Sequence, residues 1–246
     1  MYKRNVVDST QDEAFRLFDS GEEPPFAVVA NIQTSGRGRH GRRWVSNRGG
    51  CWITLLLQPE ESRYPNEWSY GFAAAVSVAD LLVEYGIKSK IEWPNDIFIE
   101  DSKVAGVLVE ARMMGTNSPS SISKVNKVLA VGVGLNVKNN ISKVEAAYPV
   151  TNMAQHTKRR LQLDGVRQRL LEILTKNLLH SDQASVLLNY RAYLKTIGKR
   201  ITVNVGEESI TGIARGVDQH GALLLFESGK VRRIVTGEIV HENRSG

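Results

Sequence analysis

In Gln33-Thr34-Ser35-Gly36-Arg37-Gly38-Arg39-His40-Gly41-Arg42-Arg43-Trp44, glycine and arginine nearly alternate. Glycines let a backbone turn tightly and present its N–H groups, and crowded guanidinium groups repel one another unless an anion sits among them. The matching chemistry is capture of a phosphate or carboxylate by a loop that orders around its ligand. Two familiar phosphate motifs do not fit. Gly36-x-Gly38-x-x-Gly41 has dinucleotide-fingerprint spacing, but Arg48-Gly49-Gly50 and an apolar run stand where a helix should follow. A Walker loop needs Lys and Ser or Thr after Gly41, and neither is there. A solvated basic loop, or a nucleic-acid patch, accounts for the same residues.

Three other segments carry chemistry. Trp93-Pro94-Asn95-Asp96 makes a rigid turn from which an amide and a carboxylate project. Lys103-Val104-Ala105-Gly106 opens the return strand of a hairpin, and a lysine there can stabilise negative charge developing on an acyl phosphate. Period-2 alternation groups Lys103, Ala105, Val107 and Val109 on one face, with Val104, Gly106, Leu108 and Glu110 on the other. In Val131-Gly132-Val133-Gly134-Leu135-Asn136 it puts Gly132, Gly134 and Asn136 on one face, bare enough for a flat ligand. Taken singly, each has a plain structural account: an Asn-Asp turn, a hairpin-end lysine in water, strand glycines at a bulge. Cys51 lies in the apolar run Cys51-Trp52-Ile53-Thr54-Leu55 and reads as a buried strand residue rather than a nucleophile. A single cysteine excludes an intrachain disulfide. None of His40, His156, His180, His220 and His241 has metal-ligand spacing to another His or Cys, so no structural zinc is expected.

The elements that must hold these segments follow from pattern. Thr10-Gln11-Asp12-Glu13 has capping-box spacing ahead of Ala14, Phe15, Leu17 and Phe18, so residues 10–20 read as a helix whose start offers N–H donors. Phe26 to Gln33 and Cys51 to Gln58 read as strands flanking the arginine loop, and Glu67 to Tyr85 as a long helix. Lys88 to Trp93 is extended, and Ile97 to Glu100 and Lys103 to Glu110 form a hairpin about Asp101-Ser102. Gly115 to Ser123 reads as a surface loop, Lys127 to Val137 as a strand, and Asp164 to Leu179 and Ser181 to Ile197 as helices. From Lys199 the pattern changes to short alternating strands, Ile201 to Val205, Ile210 to Arg215, Ala222 to Phe226 and Val231 to Val235, a small all-β barrel candidate.

At 246 residues and 41% hydrophobic content the chain can bury a core and divide into a moderate domain and a small one, taken here as 1–197 and 198–246. Its apolar runs fall far short of the roughly 20 residues that span a bilayer. No membrane partner is expected, and the absence of a signal-like start points to the cytoplasm. The net charge of +6 favours anionic partners without choosing among nucleic acid, nucleotide and acidic protein.

In this order the segments resemble the biotin protein ligases, whose motifs are a Ser-Thr start, Gly-Arg-Gly-Arg-x-Gly-Arg, Lys-Trp-Pro-Asn-Asp, Lys-x-Ala-Gly and Gly-x-Gly-x-Asn. The likeness spans nearly the whole chain, including Gly212 to Asp218 and Gly221 to Leu224, similar to that family's SH3-like domain. It implies an α/β (α+β) fold: a mixed sheet with flanking helices, related to lipoate ligases, and a small barrel after it. It implies ATP, biotin and Mg²⁺, biotinyl-5'-AMP as intermediate, and a lysine of a biotin carboxyl carrier domain as acceptor. Carried over, Ser9, Thr10, Gln11, Gln33, Gly36, Arg37, Gly38, Arg39, Lys103, Gly106, Gly132 and Gly134 would meet biotin. Arg39, Arg42, Trp44, Asn95, Ala105, Leu135, Asn136 and Arg215 would meet the nucleotide, and Asp96 the Mg²⁺. Lys103, Arg37 and Arg39 would be catalytic. One departure stands out: Glu92 replaces the lysine usual before Trp93, and either faces the nucleotide or pairs with Lys90 on its own face. Only eight residues precede Ser9, so no DNA-binding domain or DNA partner is expected, while a homodimer through sheet edges stays open. The alternatives are a lipoate or octanoate ligase or transferase of the same fold, and a nucleic-acid-binding protein using the arginine loop.

Overall fold

The computed structural model describes residues 1–59, 64, 66–113, 127–142, 144, 146 and 148–240. Its elements are β1 (Tyr2–Val7), α1 (Thr10–Asp19), β2 (Phe26–Gln33), β3 (Cys51–Leu57), α2 (Trp68–Glu84), β4 (Lys90–Glu92), β5 (Asp96–Ile99), β6 (Ser102–Met113) and β7 (Lys127–Leu135). There follow α3 (Leu163–Leu179), α4 (Gln183–Tyr193), β8 (Arg200–Val205), β9 (Glu208–Val217), β10 (Leu223–Glu227), β11 (Lys230–Ile234) and β12 (Glu238–Ile239).

A seven-stranded sheet runs in the order β1-β2-β3-β7-β6-β5-β4, with β1 and β2 parallel and every other neighbouring pair antiparallel. Strand alternation divides its side chains between two layers. Ala27, Val29, Leu55, Leu57, Val131 and Val133 face the large core beneath α2, α3 and α4, while Val28, Leu56, Val128 and Ala130 pack against Ala14 and Phe15 of α1. Helix α2 is apolar almost all round, from Tyr70 to Leu82, because it is enclosed by the sheet and two helices. Since α1 covers only part of the opposite face, the bare stretch of β7 at Gly132 and Gly134 is left for a cavity.

The small sheet is antiparallel, in the order β11-β10-β9-β8-β12. Its inward residues Val203, Ala214, Leu223 and Leu225 belong to the same core as the large sheet. Trp93 Nε1 donates to Gly221 O at 3.1 Å and Arg191 Nη2 to Val217 O at 2.7 Å, which fixes the small sheet to the turn after β4 and to α4.

The expected mixed α/β architecture is present, with differences of detail. Strand β1 was not anticipated from the pattern. Ser9, not Thr10, caps α1, accepting from Gln11 N at 3.2 Å. Helix α4 ends at Tyr193 rather than running to Ile197, because Leu194 bridges to Ile91 and Lys195 N donates to Ile91 O at 2.8 Å. The β5–β6 turn lies at Glu100-Asp101, one residue early, with Glu100 at φ 53°. The stretch read as a loop at Gly115 to Ser123, and His241, lie outside the described residues.

Candidate functional site

Where α1 stops shielding the sheet, a cavity of about 340 Å³ opens between the start of α1, the arginine loop and the faces of β6 and β7. Its neutral end is built on the α1 cap. Thr10 donates to Gln33 Oε1 from its backbone N at 2.7 Å and from Oγ1 at 3.0 Å, and Thr54 Oγ1 donates to Thr10 Oγ1 at 2.8 Å. Gln33 Nε2 donates to Ser46 Oγ at 2.8 Å, while Gln11 Nε2 reaches Ala130 O at 3.3 Å. These bonds fix Thr10, Gln11 and Gln33 at the cavity wall, with Ser46 and Thr54 behind them. Glycine keeps its floor open: a Cβ at Gly132 would crowd the Gln11 side chain at 3.0 Å, and one at Gly134 would clash with Trp44 Nε1 at 2.5 Å. The Trp44 indole therefore rests on bare strand, and its buried Nε1 has no hydrogen-bond partner among the described residues.

Lys103 is buried beside this floor. Its Nζ donates to Asp96 Oδ2 at 2.5 Å and to the Tyr148 hydroxyl at 2.9 Å, with the Trp44 and Tyr148 rings 5.3 and 5.0 Å away. Strict alternation would have placed Lys103 with Ala105, away from Gly106. Instead the β5–β6 register shifts between Ile97 and Phe98, pairing Phe98 with Lys103 but Ile97 with Ala105. The extra residue, Val104, turns with Ala105 into the core, and Lys103 comes onto the cavity face with Gly106 and Leu108. Tyr190, stacked on Phe72, donates to Pro94 O at 2.9 Å and so braces the turn that presents Asn95 and Asp96. Burial, reinforced by Asp96, keeps the Tyr190 phenol well above its usual range.

At the charged end the arginines do not simply repel one another around an external anion, as the sequence suggested, because the chain supplies carboxylates of its own. Arg37 makes paired bonds to Asp12, at 2.7 and 2.9 Å, and to Glu110, at 3.0 and 2.7 Å. These bonds, Glu110 foremost, raise its pKa. Arg42 is paired with Glu238 of the small sheet, and His40 Nε2 lies 3.5 Å from the same carboxylate oxygen. Arg39 differs. Burial lowers its pKa, and it has no carboxylate in ion-pair range among the described residues, only Asn95 Oδ1, Gly237 O and Thr236 Oγ1 at 3.3–3.4 Å.

Of the residues singled out from sequence, Ser9, Thr10, Gln11, Gln33, Arg37, Gly38, Arg39, Arg42, Trp44, Asn95, Asp96, Lys103, Gly106, Gly132 and Gly134 line this one cavity. Five do not. Gly36 lies behind the loop, where a Cβ would strike Ser46 Oγ and Trp44 O at 2.6 Å. Ala105 and Leu135 point into the core, and Asn136 turns inward to donate to Thr151 O at 3.1 Å. Arg215 is exposed on the small sheet, over the Phe226 ring at 5.1 Å. Glu92 is buried away from the cavity and pairs with Lys195, at 4.0 Å, not with Lys90, whose Nζ donates to Ala192 O. Burial pushes the Cys51 thiol up to about 12, which leaves it inert as a nucleophile. Sequence reasoning missed Tyr148 at the cavity wall and Asp12, Glu110 and Glu238 as partners of the arginine loop, none of which carries a local signal. Among the described residues no group of three His, Cys, Asp or Glu could hold a metal by itself, and no helix is long and apolar enough to cross a membrane.

Comparison with known proteins agrees with this arrangement. The biotin/lipoate A/B protein ligase family matches residues 4–123, and the biotin protein ligase C-terminal domain, an SH3-like module, matches residues 196–242. The biotin–[acetyl-CoA-carboxylase] ligase of Mycobacterium tuberculosis is 29% identical over 87% of this chain and 78% of its own length. The bifunctional ligase/repressor BirA of Bacillus subtilis is 29% identical over 96% of this chain and 72% of its own length. The biotin protein ligase of Aquifex aeolicus, solved in complex with biotin and ATP, superposes with a TM-score of 0.76 at 28% identity, covering 97% of this chain and 96% of that one. With its catalytic-type sheet, its small C-terminal sheet and both family segments in register, the chain belongs to the biotin/lipoate A/B protein ligase family, among the biotin protein ligases.

Proposed function

We propose that the chain joins biotin to ATP as biotinyl-5'-AMP and then transfers the biotinyl group to a lysine of a biotin carboxyl carrier domain. The observation that carries this reading is the buried Lys103 ammonium, tied to Asp96 in a cavity that is neutral and hydrogen-bonding at α1 but cationic at the arginine loop. A molecule with a ureido ring at one end and a carboxylate at the other, followed by a triphosphate, matches that sequence of environments. Ser9, Thr10, Gln11 and Gln33 hydrogen-bond the ureido group, and Gly106, Gly132 and Gly134 leave room for the fused rings. Trp44 and Asn95 border the nucleotide, while Ala105, Leu135 and Asn136 act by packing the strands that carry the glycines. No step requires Arg215 from its place over Phe226.

In the first step a biotin carboxylate oxygen attacks the α-phosphorus of ATP, the bond to the bridging oxygen of the β-phosphate breaks, and pyrophosphate leaves. Lys103 neutralises charge shared by the carboxylate and α-phosphate oxygens, and Arg39 and Arg42 offer the triphosphate planar donor groups. Arg37, held by Asp12 and Glu110, fixes the base of the loop. Asp96 places a single carboxylate at the cavity, which fits Mg²⁺, an ion held by one or two carboxylates with phosphate oxygens and water. Such an ion would neutralise the departing pyrophosphate. In the second step the neutral amine of the acceptor lysine attacks the acyl carbon, AMP departs, and the amine's proton passes to solvent. Positioning and charge stabilisation suffice for both steps, so no covalent nucleophile is needed.

Biotin-dependent exchange of labelled pyrophosphate into ATP tests this without an acceptor. The wild type should catalyse exchange, and Lys103→Ala should lower it by about two to three orders of magnitude. Exchange driven by lipoate or octanoate instead of biotin would move the chain to the other branch of the family. No exchange with any of the three acids, in folded protein, would refute adenylate chemistry.

A further inference from the structure

The arginine loop is latched to the small sheet across almost 200 residues of sequence. Arg39 donates to Gly237 O at 3.3 Å and Thr236 Oγ1 at 3.4 Å, Arg42 pairs with Glu238, and His40 Nε2 stands 3.5 Å from the same Glu238 oxygen. Three consecutive residues, Thr236, Gly237 and Glu238 at the start of β12, thus meet three loop residues that border or line the cavity. Among the described residues Arg39 faces only neutral acceptors, whereas Arg42 beside it already has a carboxylate. Burial works against the Arg39 charge, and Glu238 is the first group that offsets it.

We propose that Glu238 is an internal counter-ion occupying the place of a phosphate oxygen, which a di- or triphosphate must displace from Arg42, so that this residue of the small sheet sets the polyphosphate affinity of the site. The physical ground is exchange of partners. A guanidinium pairs with a carboxylate or a phosphate through the same forked geometry, and the incoming polyphosphate brings more charge than the single carboxylate it replaces. The pair is partly exposed, with Arg42 54% and Glu238 35% accessible, so breaking it costs little. Polyphosphate can then engage Arg39 and Arg42 together, while Glu238 turns to solvent. The naming of ATP as the natural occupant rests on the ligase reading; the exchange itself does not.

Calorimetric titration with inorganic pyrophosphate tests it on the wild type, Glu238→Gln, Arg42→Ala and the double variant, with biotin titrated in parallel. Glu238→Gln keeps the side chain's shape and removes the competing charge, so pyrophosphate should bind about threefold more tightly, the scale of a partly exposed ion pair. On the Arg42→Ala background the same change should have a clearly smaller effect, carried by Arg39 alone, and biotin affinity should stay constant throughout. Glu238→Asp, which retains the charge but draws it back by one methylene, should fall between wild type and Glu238→Gln. This variant keeps the question answerable if Glu238→Gln does not fold. Unchanged or weaker pyrophosphate binding in either variant, at unchanged melting temperature, would show Glu238 to be a strut for the loop and overturn the proposal. Tightening without any biotin binding would leave the counter-ion standing and sink the ligase reading instead.

Discussion

The two ends of the cavity are made of opposite materials. At the α1 end the groups are neutral: Thr10, Gln33 and Ser46 are bonded in a chain, and Gln11 is bonded to the β7 backbone, so helix and sheet hold one another in place. At the loop end, Arg37, Arg39 and Arg42 are held by groups from α1, β6, the Pro94 turn and the small sheet, through contacts an anion can replace. The first end recognises shape and donor pattern before a ligand arrives. The second has its charge balanced only until a ligand does so better. Substrate selection and charge handling are thus divided between a rigid region and an exchangeable one.

Several substitutions would break or sharpen that division. Gly132→Val forces a branched side chain onto Gln11, where even a Cβ lies at 3.0 Å. Overpacking costs about 1–3 kcal/mol, so biotin affinity should fall by about a hundredfold with pyrophosphate affinity nearly unchanged. Equal losses of both would show the two ends to be one unit. Thr10→Val removes one of the two bonds to Gln33 Oε1. A lost bond of this kind is worth about 1 kcal/mol, so titration should show biotin binding weakened by about fivefold. Arg37→Ala leaves Asp12 and Glu110 without their shared partner, all three being about one-third exposed. Urea unfolding should then report a loss of about 1 kcal/mol, and a loss of several kcal/mol would mean that the loop end is as rigid as the other.

The smallest expected effect concerns the approach to α1. Asp8 bonds Arg16 and the Ser9 amide, and the Arg16 bond foremost lowers its pKa from 3.8 to about 2. A carboxyl depressed on folding stabilises the native state above its unfolded pKa, and that contribution is lost as pH falls from about 4 towards 2. Asp8→Asn should therefore flatten the acid limb of the stability curve in this window and leave pH 7 activity alone. An unchanged limb would show that solvent screens the pair completely.

Sequence reading succeeded where a local pattern alone determines the outcome. The glycine face of β7 follows from period 2, the α1 start from its polar residues, and the turn at Asn95-Asp96 from Pro94. It failed where a partner decides. The phase of β6 depends on a register shift against β5, so alternation put Lys103 on the wrong side, while it grouped Ala105 correctly with Val107 and only the resemblance assigned Ala105 to the nucleotide. Asn136 shares the glycine face in sequence but lies just past the end of β7, where buried backbone acceptors claim its amide. The carboxylates of Asp12, Glu110 and Glu238 come from elements whose neighbourhood with the arginine loop exists only after folding. Glu92 was expected either to face the nucleotide or to pair with Lys90, yet Lys195, just past the end of α4, supplies its counter-charge.

The strand order also sets a schedule for synthesis. Strand β3 sits between β2 and β7, so its far edge cannot be covered until β7, some 70 residues downstream of Leu57, has left the ribosome. At about 5–20 residues per second this is a wait of roughly 4–14 s. Throughout it the apolar run from Cys51 to Leu57 presents an unpaired, aggregation-prone edge. Helix α2, made in the interval and apolar on nearly every side, waits longer still, because α3 and α4, which cover it, follow β7 in the chain.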